Sequence, residues 1–202
     1  MEIKGTRELF QARSGGRTWL TMHARDVCYN GKTHSYFFAS RSVDPQPPEL
    51  KRPDAVIVVG IIRNPGEEPR IVLNDEFRPA IGRREISFPA GLIDPSDYIN
   101  GSVHDGIVRA AHREFMEETG YDFKAEEVSP PNLYTSAGMT DESNAIVIGT
   151  ASGVPKPNQE EMEDIRVLTL THRELEKLLK NPDLVFSKVA WPFLWSYNKF
   201  RF

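Results

Sequence analysis

The chain has 202 residues, enough for one ordinary domain and roughly fifty residues more, and its 39% hydrophobic and 27% charged content excludes a collagen-like or wholly disordered protein. Twenty-five Lys and Arg against 29 Asp and Glu leave a net charge of −4, which supplies no general attraction for nucleic acid or an anionic membrane. Cys28 alone excludes an intrachain disulfide and a cysteine zinc site and points to a reducing compartment, the cytoplasm, while no apolar leader follows Met1 and no run reaches the ~18 apolar residues of a membrane span.

In chain order, residues 17–40 read as two or three short strands, Trp19 to Met22 and His34 to Phe38, with a turn at Asn30-Gly31. The stiff segment Asp44-Pro45-Gln46-Pro47-Pro48 sets a boundary near residue 50, between an N-terminal β unit (1–50) and a main domain (51–202). Ala55 to Ile62 is a continuous apolar run suited to a strand buried on both faces, and Arg70 to Phe77 should pair with it. Glu85 to Phe88, Leu133 to Ser136, Ala145 to Ala151 and Ile165 to Leu170 complete a mixed sheet. Helices are predicted from Val103 to Thr119, stopped by Gly120, from the capping box Thr171 to Glu174 up to Asn181-Pro182, and from Ser187 to Tyr197, with Pro192 in a first turn or at a kink. The class is α/β.

Chemistry concentrates near the end of the first helix, in Arg113-Glu114-Phe115-Met116-Glu117-Glu118-Thr119-Gly120-Tyr121. Glu114, Glu117 and Glu118 stand at i, i+3 and i+4 and continue, seven residues on, the stripe of Ile107, Ala110 and Ala111 that faces the core. Arg109, His112 and Arg113 read as the opposite side. Three like charges aimed inward are costly unless cations neutralise them, and oxygen ligands without Cys or clustered His suit Mg²⁺ or Mn²⁺.

This pattern resembles the signature of the Nudix hydrolases: Gly, five residues, Glu, seven residues, Arg-Glu, an apolar residue, any residue, Glu-Glu, any residue, Gly and another apolar residue. Arg113 to Tyr121 match its second half in full; Gly91 precedes Arg113 by 22 positions where the signature has 14, and Asp105 stands eight before Arg113, where the signature has Glu. Phe77 to Ala80, Glu85 to Asp94 and Glu161 to Ile165 are similar to the corresponding stretches of the ADP-ribose pyrophosphatase branch, whose Ser-Pro-Gly segment is Ser136-Ala137-Gly138 here.

The resemblance implies an α/β/α sandwich with a mixed sheet and a small antiparallel N-terminal β unit that builds a homodimer. It implies metal-dependent hydrolysis of a nucleoside diphosphate sugar, ADP-ribose to AMP and ribose 5-phosphate first, with UDP-glucose or GDP-mannose as alternative substrates. Glu114 and Glu118 are the expected Mg²⁺ or Mn²⁺ ligands, with Glu117 as a third and the Ala90 carbonyl completing a site; Arg113 belongs to the same catalytic box. Glu161, then Glu163, are the candidate general bases, with solvated surface as the alternative for that loop. Arg78 is a candidate diphosphate contact, or else a partner of Glu76 or Glu85. Glu85 is a candidate for the sugar or base, Glu142 for the terminal ribose, and Phe37, Tyr36 or Trp19 for stacking on the base, with core packing as the alternative. Arg83 and Arg84 read as exposed surface. A non-catalytic nucleotide-sugar sensor is the rival from another class; three mutually repelling carboxylates favour catalysis, and the N-terminal unit disfavours a nucleoside triphosphate hydrolase.

Overall fold

A computed structural model describes residues 1–46, 51–99, 101–155 and 164–200. The chain divides into two compact units, Met1–Ala55 with Pro130–Ala145, and Val56–Ser129 with Ile146–Phe202.

The first unit is an antiparallel meander of β1 (Glu2–Ser14), β2 (Arg17–Tyr29) and β3 (Lys32–Ser40) in that order. Asn30 and Gly31 take φ of 50° and 75° in a two-residue loop, the left-handed pair that matches the strand twist. The strands run longer than the sequence predicts, and β1 is an addition, because it carries no buried alternation to read: its residues are exposed on both faces. Cross-strand polar links hold it, with Arg7 donating to Asp26 at 2.8 Å and to Ser35 at 3.2 Å. Hydrogen bonds from Ser35 and Arg7 hold the Asp26 carboxyl below its ordinary range. Buried His23 stacks on Phe38. A short β9 (Leu133–Tyr134) pairs with the first residues of β10 (Ser143–Ser152).

In the second unit, β4 (Ala55–Ile62), β5 (Arg70–Arg78), β8 (Asp122–Val128), β10 and β11 (Ile165–Leu170) form a mixed sheet in the order β11-β5-β4-β10-β8, with β6 (Arg83–Ser87) on β5 and β7 (Ala90–Leu92) on β4. Strand β4 is buried on both faces, as its unbroken apolar run requires. Ile57, Val59 and Ile61 pack with Leu175 of α2 (His172–Leu179) and with Ala190, Leu194 and Tyr197 of α3 (Ala190–Phe200). On the other face Gly60 makes way for Phe115 of α1 (Val103–Thr119): a Cβ there would stand 2.3 Å from the ring. The layers are therefore α/β/α.

Capping chemistry sets the helix ends. Ser102 and Asp105 form a reciprocal box at the start of α1, Gly120 closes it at φ 74°, and Thr171 and Glu174 open α2. Helix α3 runs from Ala190, three residues later than predicted; the Ala190 amide donates to the Ser187 hydroxyl at 3.0 Å, and Pro192 falls in the first turn, where its missing N–H costs least. Strand β8, rich in Lys and Glu, escaped sequence reading because it is the sheet edge, where one buried face and a charged exterior suffice.

Candidate active site

Helix α1 presents its three carboxylates in graded depth. Glu118 is 4% exposed, and the side chains of Glu114 and Glu117 are 13% and 42% exposed. The inward stripe thus carries Glu114 and Glu118 into the protein and leaves Glu117 at the rim.

The placement of Arg113 on the opposite side is corrected. Its Nη1 donates to Glu114 at 2.7 Å and to Glu117 at 3.2 Å, and its Nη2 donates to Asp97 and the Leu92 carbonyl, each at 3.0 Å. A long side chain reaches its i+4 neighbour along the helix, so helical angle alone misplaced the guanidinium. Burial works against the Arg113 charge, but Asp97 and Glu114 outweigh it and hold its pKa above the ordinary guanidinium range.

Asp97 is the residue that sequence reading missed. It lies in a 3₁₀ turn (Pro95–Tyr98), is buried, and also accepts from the Asp94 amide at 2.9 Å. Counting eight back from Arg113 led to Asp105, which instead caps α1. Counting six forward from Gly91 leads to Asp97, so the extra residues lie after the signature's acidic position rather than before it.

Two backbone features seat the carboxylates. Gly91 in β7 leaves room for Glu114, whose Cδ would lie 2.0 Å from an added Cβ. Glu118 Oε2 accepts from Asn74 Nδ2 of β5 at 2.7 Å and from the Ala90 amide at 3.1 Å. These donors offset the cost of a buried carboxylate.

Among the described residues no three of His, Cys, Asp and Glu converge into a metal cluster. The donor set nonetheless fits a hard divalent cation: Mg²⁺ takes one or two carboxylates and completes its shell with water and phosphate, and Glu114 and Glu118 are two such carboxylates, one seated in a cradle that any side chain at position 91 would fill.

Arg78 donates to Glu76 at 2.7 Å and lies 3.5 Å from Glu85, the two pairings named as its alternative, and Glu85 faces Glu76 across β5 and β6. Arg84 is not free surface: it binds Asp75 at 3.0 Å and Asp164 at 2.7 Å, tying β5 and β6 to the start of β11. In the first unit, Arg41 holds Glu142 at 2.7 Å. A cavity of about 320 Å³ in that unit is lined by Arg25, Tyr36, Phe38, Lys51, Tyr134 and Asp141, whereas Phe37, between two of them on β3, alternates to the other face and is 58% exposed. Glu161 and Glu163 lie outside the described residues.

The fold and the carboxylate helix define a class. The profile of the NUDIX domain matches residues 51–188, and the chain belongs to the Nudix family. It is 29% identical over 131 residues to an ADP-sugar pyrophosphatase of Mus musculus, covering 62% of this chain and 56% of that protein. It is 33% identical over 95 residues to an ADP-ribose pyrophosphatase of Saccharomyces cerevisiae, covering 46% and 37%. The chain spans about half the length of the curated relatives it matches, or less. A crystal structure of an ADP compounds hydrolase shares the fold, with a TM-score of 0.61 at 23% identity over 100% of this chain and 96% of that one. Nudix hydrolases generally use divalent metal ions. No described helix is long and apolar enough to cross a membrane.

Proposed function

We propose that this protein is a pyrophosphohydrolase that cleaves the diphosphate of a nucleoside diphosphate sugar, ADP-ribose first, to AMP and ribose 5-phosphate, in the cytoplasm. The observation that carries the reading is the pair of seated carboxylates, Glu114 in the Gly91 cradle and Glu118 between Asn74 and Ala90, bracketed by Arg113. The similarity to ADP-sugar and ADP-ribose pyrophosphatases supports the substrate class.

In this reading Glu114 and Glu118 hold Mg²⁺, or Mn²⁺, with Glu117 as a rim ligand and the Ala90 carbonyl completing a site. The bound ion supplies charge neutralisation at the diphosphate. Arg113 keeps Glu114 and Glu117 oriented. Glu161, or failing it Glu163, takes a proton from a water attacking phosphorus in line; a new O–P bond forms, and the bridging P–O bond breaks with its electron pair on the departing phosphate. Arg78 and Glu85 must exchange their mutual pairing for substrate, and Phe37 and Glu142 are the proposed base and ribose contacts.

The exposed apolar side chains of the meander, Ile3, Phe10, Trp19 and Phe37, support a homodimer built on the first unit, and light scattering should give about twice 22.9 kDa. The decisive experiment is turnover of ADP-ribose, UDP-glucose and GDP-mannose with Mg²⁺ or Mn²⁺, on wild type and Glu118→Gln. Wild type should cleave ADP-ribose fastest and Glu118→Gln should lose most activity at an unchanged melting temperature. Tight binding of a nucleotide sugar without turnover would establish the sensor instead.

A further inference from the structure

Asn74 sits in the middle of β5 with a neighbour on each side, Val167 of β11 and Ser87 of β6, at the end of an otherwise apolar stretch, and is 1% exposed. An amide is a poor choice for such a place: Asn is a weak strand former, and burying it is costly unless all its polar atoms are bonded. Asn74 is only half satisfied. Its Nδ2 donates to Glu118 Oε2 at 2.7 Å, while its Oδ1 is buried and meets no partner among the described residues. Ser87, directly opposite in the ladder and so on the same face, likewise has a buried Oγ without a partner there. The orientation of the amide follows from chemistry, since an ionised carboxylate only accepts and the end facing it must be the NH₂. An aliphatic residue would serve the sheet better; what the amide serves is Glu118.

We infer that Asn74 is a positioning residue for Glu118: together with the Ala90 amide it fixes one carboxylate oxygen, and with it the rotamer and plane in which Glu118 meets a divalent cation. This rests on the reading of Glu118 as a metal ligand. It differs from ligation by Asn74 itself, because a ligand would offer Oδ1 to the metal and gain from becoming a carboxylate.

The test titrates Mn²⁺, followed by its free-ion paramagnetic resonance signal, into wild type, Asn74→Leu, Asn74→Asp, Glu118→Gln and the Asn74→Leu/Glu118→Gln double variant at pH 8, with metal-free melting temperatures on the same samples. Outer partners of metal ligands are worth roughly 10–100-fold in affinity, so Asn74→Leu should weaken Mn²⁺ binding by that factor without lowering the melting temperature. On the Glu118→Gln background the same substitution should change affinity by less than about twofold, since it acts through Glu118. In turnover, the Mg²⁺ concentration for half-maximal rate should rise more than kcat falls. Asn74→Asp, of the same size but without a donor, should also weaken binding, and it carries the test if Asn74→Leu does not fold.

Equal losses on both backgrounds would make Asn74 a structural residue and overturn the inference. Binding by Asn74→Asp as tight as wild type or tighter would make it a ligand and overturn it too. If Glu118→Gln weakens Mn²⁺ but Asn74→Leu does not, the positioning role alone falls; if Glu118→Gln leaves Mn²⁺ affinity unchanged, the metal-site reading falls with it.

Discussion

Replacing Gly91 by Ala adds one methyl group and strikes a single side chain. The new Cβ would lie 2.0 Å from Glu114 Cδ, 2.1 Å from Oε2 and 2.4 Å from Oε1. Ordinary contact begins at 3.4 Å, so from 2.0 Å the carboxylate must retreat by about 1.4 Å. Gly91 has no left-handed φ that Ala would resist, so the strand itself is not strained. Because the clash falls on the far end of a flexible side chain, the fold should survive with a melting temperature within a few degrees of wild type. The site should not. A misplacement of about 1 Å can cost 10²-fold in rate, or about 2.7 kcal/mol of transition-state stabilisation, and that is the expected loss in kcat/KM for the nucleotide sugar. Mn²⁺ affinity should fall in parallel, and on a Glu114→Ala background Gly91→Ala should add nothing. Gly91→Ala retaining turnover and metal affinity within about threefold of wild type would refute the cradle.

Two further substitutions separate the two acidic positions. Asp97→Asn removes the charge facing Arg113 and should lower turnover and reduce stability by about 1–3 kcal/mol in denaturant melts, whereas Asp105→Asn should leave turnover near wild type; the reverse ranking would restore Asp105 to the signature. Asp105 should show itself through pH instead. Hydrogen bonds from the Ser102 backbone and hydroxyl hold its carboxyl below the ordinary 3.8, so its stabilising contribution is present above that value and lost as pH falls through the lower folded one. The melting-temperature gap between wild type and Asp105→Ala should therefore be widest near neutrality and close in acid; a gap unchanged down to pH 3 would remove the charged cap.

What could be read directly were features whose cause lies within a few residues. The apolar run of β4, the caps of α1 and α2, the left-handed stop at Gly120 and the spacing of Glu114, Glu117 and Glu118 follow from local backbone preference and helical geometry, and they placed the carboxylate helix in the family to which the chain belongs. The edge strands β1 and β8 were invisible for the complementary reason: their strand character comes from the neighbour they pair with, not from alternation of their own.

The tertiary structure alone decided who meets whom. Segment Pro130–Ala145 joins a unit made mostly of the first 55 residues, Arg113 turns back among the acids it seemed to avoid, and Asp97 rather than Asp105 receives it. Arg78 and Glu85 pair with each other, and Asn74, unremarkable in a list of residues, reaches Glu118 across 44 positions of chain. Helix periodicity and capping act over one or two turns, whereas an ion pair or a buried amide is selected by the whole packed interior, where an unpaired polar group is expensive and only the folded chain can supply its partner.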